Sequence, residues 1–192
     1  MKKIQEIRAE FEESREESWP SLCEKYKDDG RKGVAALVTR CQRKMEALEA
    51  ERQRMYGMFA YEREYEHLGY ICGIDEAGRG PLAGPVVAGA VILQKNCGIL
   101  YLNDSKKLSA ARREELYRQI VEEAVAVGVG YASPQRIDEI NILQATYEAM
   151  REAIQKLKIK PQILLNDAVT IPGVSCPQVP IIKGDAKSAS IR

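Results

Sequence analysis

The 192-residue sequence predicts an α/β fold in which helices flank a mixed sheet, preceded by a helical N-terminal extension. Short apolar runs rich in valine and isoleucine first follow one another and then alternate with helical patterns, an order that favours a mixed sheet. Before them, residues 1–68 are rich in charged residues and alanine, with apolar positions at helical spacing. We therefore divide the chain into a helical extension, 1–68, and an α/β domain, 69–192.

In the extension, apolar residues recur every three or four positions, at Ile4, Ile7 and Phe11 and then at Val34, Leu37, Val38, Cys41, Met45 and Leu48. The stretch from Pro20 to Gly30 predicts a break between two helices, because proline and glycine interrupt helical patterns. Two interpretations remain open: an amphipathic helix pair packed on the main domain, or an arm that contacts substrate.

In the α/β domain, five short runs are predicted to be strands: 70–75, 86–93, 126–132, 162–169 and 179–185. Residues 108–125 predict a helix with Ser109 as its N-cap, since serine side chains accept hydrogen bonds from the first helical turn. Residues 137–158 predict helix, in two pieces, ending before Pro161.

Composition excludes several classes of protein. The 29 basic residues balance 28 acidic ones, so nucleic acid would have to bind a local patch. The five cysteines never form a CxxC pair, which argues against zinc and disulfides and for a reducing compartment. The N-terminus turns acidic before any apolar run, and the longest apolar run, 86–93, is too short to span a bilayer. We expect a soluble, cytoplasmic protein without a membrane partner.

Carboxylates follow two of the predicted strands. Asp75 and Glu76 end the first strand, and Asp167 ends the fourth. If these strands are parallel neighbours, Asp75 and Asp167 lie side by side at one edge, where functional groups collect in α/β sheets. Oxygen ligands without histidine suit Mg²⁺ or Mn²⁺, and the chain's one histidine, His67, lies in the linker. The alternative is that these carboxylates only cap or turn the chain.

The loop after the carboxylate pair reads GRGPLAGP, in which three glycines and one alanine lack bulky side chains. Gly78 and Gly80 would let the backbone approach a substrate closely, and Arg79 offers a planar fork for a phosphate. The loop matches neither nucleotide-binding glycine pattern. The alternative, a tight hairpin connection, would need only one or two glycines.

Two pairs of lysines lie near the predicted strand ends. Lys106 and Lys107 precede a helix, and Lys183 and Lys187 follow the last strand. Near the proposed site they would neutralise phosphates. Taken alone, each would more often be ordinary surface charge.

Taken together, the segments GIDEAGRGPLAGPVVAGAVIL, LNDSKKLS, IDEINILQAT, LLNDA and KGDAKSASI resemble the bacterial ribonuclease HII family, in order and spacing, from Tyr70 to Ile191. The resemblance implies an RNase H-like fold and a Mn²⁺- or Mg²⁺-dependent endonuclease. Its substrates would be RNA/DNA hybrids and duplex DNA containing single ribonucleotides, and its products would carry 3′-hydroxyl and 5′-phosphate ends. We expect a monomer.

The resemblance also implies the roles of individual residues. The catalytic metal ligands would be Asp75, Glu76 and Asp167, and the Gly78-Arg79-Gly80 turn would contact the 2′-hydroxyl and its neighbouring phosphate. The further substrate-binding residues would be Ser105, Lys106, Lys183, Asp185 and Lys187, with Asp185 in a supporting role. Pro81 stands where the sister family, ribonuclease HIII, usually has aspartate, which favours type HII.

Two departures from the family pattern generate further expectations. Asn166 replaces the usual apolar residue before the third carboxylate, so we expect the strand end to bend or loosen. The sequence reaches Arg192 before the family's fourth carboxylate and ribose-stacking tyrosine, so we expect a C-terminally truncated member. Two alternatives follow: a weak or inactive module that binds hybrid duplex without cutting it, or another RNase H-like enzyme such as a transposase or resolvase.

Overall fold

The computed structural model describes residues 1–81 and 83–191, so Leu82 of the glycine loop and the terminal Arg192 lie outside the described residues. The chain divides into two units, Met1–Arg54 and Met55–Arg192. The predicted domain boundary near residue 68 stays a prediction.

The first unit consists of α1 (Ile4–Glu13), α2 (Trp19–Tyr26) and most of α3 (Lys32–Met58). Its core is formed by the predicted apolar positions other than Leu48, together with side chains of α2. The prediction that the stretch from Pro20 to Gly30 is only a break between helices is wrong. Pro20 lies in the first turn of α2, where its missing N–H has no intrahelical acceptor to serve, so it opens a helix rather than interrupting one.

The second unit alternates strands and helices as predicted, and the α/β prediction is confirmed. Its helices are α4 (Ala60–Tyr65), α5 (Ala110–Glu123), α6 (Pro134–Ile140) and α7 (Ile142–Gln155). Its strands are β1 (Ile71–Ala77), β2 (Val86–Ile92), β3 (Ala126–Ala132), β4 (Ile163–Asp167) and β5 (Gln178–Ile181).

The five strands form one mixed sheet in the order β3-β2-β1-β4-β5. The β1–β2 and β2–β3 pairs are antiparallel, and the β1–β4 and β4–β5 pairs are parallel. The first and fourth strands are therefore parallel neighbours, the condition under which the sequence analysis placed Asp75 and Asp167 side by side.

The helix boundaries follow from local side-chain chemistry. Ser109 caps α5, because its Oγ accepts from the backbone N–H of Arg112 at 3.3 Å. The predicted division of the second helical region is confirmed and occurs at Asn141, which has a φ of 71°. The Asn141 side chain accepts from the backbone N–H groups of Leu143 and Gln144, so α7 starts anew there.

One face of the sheet is covered by α7. Side chains from β1, β2 and β4 pack on its small residues, including Ala145, Ala149 and Ala153. On β3, the glycines at 128 and 130 allow this close approach, since an added Cβ would lie 2.1 Å from the carbonyl oxygen of Ala153 and 1.8 Å from that of Ala149. The backbone of α7 therefore lies directly on β3.

The expectation that Asn166 loosens the end of β4 is wrong. Asn166 is fully buried, and its backbone keeps the register with Ile74 on β1 and Pro180 on β5. Its Nδ2 donates to the carbonyl oxygen of Val169 at 3.1 Å and to Oε1 of Gln178 at 2.8 Å. These bonds satisfy the Nδ2 donors, while Oδ1 is buried without a partner among the described residues. The strand stays regular up to Asp167.

The last strand is shorter than predicted. It ends at Ile181, because Lys183 adopts a left-handed conformation with a φ of 58° and residues Gly184–Ala186 form a 3₁₀ turn. The basic and acidic residues of this segment therefore lie on a turn beyond the sheet.

Across the described part of the chain, no helix combines the length and the apolar character needed to cross a membrane. The five cysteines are all unpaired thiols. Burial raises the pKa of Cys72 to about 12, which keeps this thiol protonated and inert within the core.

We predict that Gly130→Ala lowers the free energy of unfolding by about 2 kcal/mol or more, because the added methyl overlaps the backbone of α7. Urea denaturation measures the change. The matched control is Gly89→Ala on β2, where a Cβ meets no described atom within 4 Å and the expected change is within about 0.5 kcal/mol. Equal stabilities for the two variants would contradict the close approach of α7.

Candidate active site at the carboxyl ends of two parallel strands

Asp75 and Asp167 lie side by side at the edge of the sheet. The β1–β4 register pairs Ile74 with Asn166, so the next residue of each strand is one of these aspartates. Side chains alternate along a strand, and Ile74 faces the core under α7. Both carboxylates therefore point to the opposite face of the sheet.

Asp75 is the most perturbed carboxylate of the described site. Burial raises its pKa from 3.8 to about 6, and the negative charges of Glu76, Asp167 and Asp185 add to the shift. One opposing contribution is the backbone N–H of Glu76, which donates to Oδ1 of Asp75 at 2.8 Å. Among the described residues, no cationic side chain pairs with Asp75. The described chain therefore does not neutralise its negative charge.

Asp167 is fixed by the segment that follows β5. The backbone N–H of Gly184 donates to Oδ1 of Asp167 at 2.8 Å. An added Cβ on Gly184 would lie 3.3 Å from the Cα of Asp167, so the two backbones are in close contact. This contact brings Asp185, which the sequence analysis treated only as a supporting residue, into the electrostatic field of Asp75.

Glu76 diverges from Asp75, as side-chain alternation predicts. Its Oε1 accepts from Nη1 of Arg79 at 3.0 Å, and the glutamate is mostly buried while the arginine remains partly exposed. Arg79, which the sequence analysis predicted to bind a phosphate, therefore forms an ion pair with Glu76 in this structure.

The glycine turn has the open geometry that the sequence predicted at two positions. Gly78 has a φ of 97°, and an added Cβ would lie 2.1 Å from the carbonyl oxygen of Pro85, so only glycine fits there. At Gly80 an added Cβ meets no described atom within 4 Å. Gly78 shapes the turn, and Gly80 leaves its outer surface bare.

The predicted phosphate-binding lysines are exposed on two turns. Lys183 and Lys187 flank the 3₁₀ turn that carries Asp185, and Ser105 and Lys106 lie on another 3₁₀ turn before α5. None of these lysines forms an ion pair with a described residue. The Asp104 carboxylate accepts from the backbone N–H of Lys106 at 3.0 Å and so holds the second turn in shape.

The carboxylates do not form a closed metal cage. Within residues 1–81 and 83–191, no group of three or more histidine, cysteine, aspartate or glutamate side chains is arranged to hold an ion. One oxygen of each carboxylate is already engaged: Oε1 of Glu76 by Arg79, Oδ1 of Asp75 by the backbone N–H of Glu76, and Oδ1 of Asp167 by Gly184. The donor atoms are nevertheless all carboxylate oxygens, the ligands that hard divalent cations prefer.

Comparison with known proteins identifies the family. The family model described as Ribonuclease HII matches residues 72–191, and the Ribonuclease HII N-terminal domain model matches residues 3–66. The chain belongs to the ribonuclease HII family. It is 59% identical to Ribonuclease HII of Lachnoclostridium phytofermentans, over 98% of this chain and 74% of that protein. Ribonuclease HII of Bacillus licheniformis is 50% identical over the same shares of each chain.

The solved structures agree with this assignment. The crystal structure of ribonuclease H2 from Pyrococcus horikoshii OT3 matches with a TM-score of 0.55 and 29% identity, covering 64% of this chain and 66% of that one. Members of the family are type II ribonucleases H, so the chain is an endonuclease of that class. Membership excludes the transposase or resolvase interpretation.

One carboxylate near the site was missed by the sequence analysis. Glu62 of α4 accepts hydrogen bonds from Ser188 and Ser190, which follow Lys187. The contact joins residues up to 128 positions apart, and no local pattern in the sequence marks it.

We predict that Asp75→Asn stabilises the metal-free protein at neutral pH. Because the folded-state pKa of Asp75 lies at about 6 rather than 3.8, the folded chain binds more protons than the unfolded chain between these values. The wild type therefore loses stability as the pH rises through this window. The variant should be more stable by about 1–3 kcal/mol at pH 7, and the difference should vanish near pH 4.

Chemical denaturation in chelator at a series of pH values measures this difference. Asp138→Asn, on the exposed side of α6, is the control and should show no such trend. A stability difference between Asp75→Asn and wild type that stays constant from pH 4 to pH 7 would contradict the repulsion described for this site.

Proposed function

We propose that the chain hydrolyses the RNA strand of RNA/DNA hybrids and single ribonucleotides embedded in duplex DNA. The reaction would require Mn²⁺ or Mg²⁺ and leave 3′-hydroxyl and 5′-phosphate ends. Asp75, Glu76 and Asp167 are proposed as the catalytic metal ligands. The ribonuclease HII matches support the substrate class, and the free cysteines are consistent with a cytoplasmic location.

The observation that carries this proposal is the pairing of Asp75 with Asp167 across parallel strands, beside the bare glycine turn. Buried carboxylates that repel one another lower stability unless a cation neutralises them. No described side chain supplies that cation to Asp75. The residues therefore fit a hard divalent ion in both charge and donor type.

When bound, such an ion supplies Lewis acidity that activates water and stabilises charge developing on the phosphate. The second oxygens of Asp75 and Asp167 are the ligands that need no partner exchange, since the described hydrogen bonds engage only Oδ1 of each. Glu76 can join them through Oε2, because Arg79 engages only its Oε1.

The remaining residues of the site are proposed to hold and select the substrate. Lys106, Lys183 and Lys187 are exposed and unpaired with described carboxylates, so they are available to phosphates, with Ser105 beside Lys106 as a hydroxyl donor. Selection requires a group that meets the 2′-hydroxyl, which distinguishes RNA from DNA. The backbone at Gly78 and Gly80 is our candidate, with Arg79 on the neighbouring phosphate and Asp185 in support.

A second candidate function is a module that binds hybrid duplex without cutting it. It is favoured by one observation: the described carboxylates do not form a ready-made cage for an ion. Cleavage and binding must therefore be measured separately.

We predict that the chain, supplied with Mn²⁺, cuts a labelled DNA duplex containing one ribonucleotide. Asp75→Asn and Asp167→Asn should slow cutting by about a thousandfold, because several kcal/mol of transition-state stabilisation depends on these ligands. Binding of the same duplex, measured by fluorescence anisotropy in Ca²⁺, should change little. Chelator should abolish cutting, and polymerase extension of the product should report a 3′-hydroxyl.

Asp138→Asn is the matched control and should cut like wild type. An all-DNA duplex of the same sequence should remain intact. Tight binding by wild type without any cutting would support the binding module, and cutting that survives Asp75→Asn would refute the proposed ligands.

We predict that Gly80→Ala lowers the cleavage rate without lowering the stability of the fold. An added methyl meets no described atom and the backbone is not in the left-handed region, so the free energy of unfolding should be unchanged or rise by up to about 1 kcal/mol. Cutting at a single ribonucleotide should fall by about tenfold or more, because the methyl blocks close approach of the duplex.

Gly30→Ala, in the loop before α3, is the control, since a Cβ there also meets no described atom within 4 Å. Steady-state cleavage and thermal denaturation are measured on both variants. Wild-type cleavage by Gly80→Ala would show that the duplex does not approach this turn.

A further inference from the structure

Glu62 makes an unusual set of hydrogen bonds for a carboxylate on a short helix. Its Oε1 accepts from Oγ of Ser188 at 2.5 Å, from the backbone N–H of Ser190 at 2.9 Å and from Oγ of Ser190 at 2.7 Å. Its other oxygen, Oε2, is buried and has no hydrogen-bond partner among the described residues. One carboxylate oxygen, Oε1, therefore accepts all three of these hydrogen bonds.

The two serines are buried, and they lie in a segment that closes over β1. An added Cβ on Gly73 would lie 2.1 Å from the carbonyl oxygen of Ser190, so this backbone rests directly on the strand two residues before Asp75. The backbone N–H of Ala189 donates to the carbonyl oxygen of Met58 at 3.1 Å. Ile191 then packs with Leu165 and Ile181.

The N-terminal end of the same segment contacts the proposed metal ligands. Gly184 donates to Asp167, and Asp185 acts on the charge of Asp75. Lys183 and Lys187 project from this turn into solvent. We call residues 183–191 the closing segment. Asp167 binds its N-terminal end through Gly184, and Glu62 binds its C-terminal end through Ser188 and Ser190.

We infer that Glu62 is a positioning residue, which acts on the active site by anchoring the closing segment to β1. This inference rests on the proposed function for its catalytic consequence, but not for the anchoring itself. Without the anchor, three donors lose their acceptor, and the contact of Gly184 with Asp167 loses its support.

The geometry also specifies which property of Glu62 matters. Because Oε1 accepts all three hydrogen bonds and Oε2 accepts none from described residues, the position requires one acceptor oxygen rather than a negative charge. Glutamine retains that oxygen at the same length. Alanine removes that oxygen, so Glu62→Ala should impair the anchoring of the closing segment and Glu62→Gln should preserve it.

The test compares Glu62→Ala, Glu62→Gln and Glu64→Ala, an exposed glutamate on the same helix that serves as the matched control. Hydrogen–deuterium exchange is measured first, on the metal-free chain. In Glu62→Ala, amides of residues 184–191 should exchange about tenfold to a hundredfold faster, because three hydrogen bonds that hold this segment lose their acceptor. Amides of β2 and β3 should keep their protection.

Cleavage and Mn²⁺ titration follow. Glu62→Ala should lower kcat by about tenfold and raise the Mn²⁺ concentration at half-maximal rate, because Asp167 loses its fixed position. Glu62→Gln should restore both to within about threefold of wild type, a rescue that a purely charge-based role would not allow. Ser190→Ala, which keeps the backbone donor, should lie between them and add little in the Glu62→Ala background.

Unchanged exchange at residues 184–191 in Glu62→Ala would overturn the inference, whether or not the wild type cuts. Faster exchange with no change in kcat or Mn²⁺ dependence would overturn the link to the active site. A defect in Glu62→Gln as large as that in Glu62→Ala would overturn the requirement for an acceptor alone.

Discussion

The burial of Asp75 beside other carboxylates, at the ends of two parallel strands, is the constraint on which the rest of the site depends. The sheet order forces Asp75 and Asp167 to leave neighbouring strands on one face, and the turn after β5 adds Asp185. The described chain offers Asp75 no cationic side chain. The folded protein therefore stores unfavourable electrostatic energy at this edge, which a divalent cation would relieve.

Several features of the fold make sense as support for this arrangement. Glycines on β3 let α7 lie directly on the sheet, and α7 covers the face opposite the carboxylates. Asn166, buried with its Nδ2 donating to Gln178 and Val169, lies in a strand that stays regular to its last residue. Rigid strands on a packed core hold charged groups together that a flexible loop would let separate. The glycine turn and Arg79 then border the carboxylates on the side of β1.

Much of this architecture could be predicted because its causes are local. Apolar runs rich in valine and isoleucine marked β1 and β2, Ser109 marked the start of α5, and the helical pattern of residues 137–158 was predicted to divide in two. The carboxylates at the two strand ends followed from the same patterns, and the family resemblance then supplied their proposed roles.

The sequence did not predict features that depend on partners distant in the chain or on the position of a residue within its element. Pro20 is compatible with a helix only because it occupies the first turn, and Asn166 is compatible with a strand only because Gln178 meets it. The hydrogen bonds of Glu62 join segments 126 and 128 positions apart, with no periodicity to mark them. The pairing of Arg79 with Glu76 likewise depends on the shape of the turn.

The central claim is that Asp75 and Asp167 share one hard divalent cation. Anomalous diffraction from crystals of the chain grown with Mn²⁺ tests it most directly, because the signal locates the metal independently of activity. The account predicts a manganese peak with carboxylate oxygens of both residues within about 2.0–2.6 Å, the range of oxygen ligands to such cations. A fully occupied peak bound elsewhere, or bound by only one of the two aspartates, would contradict it.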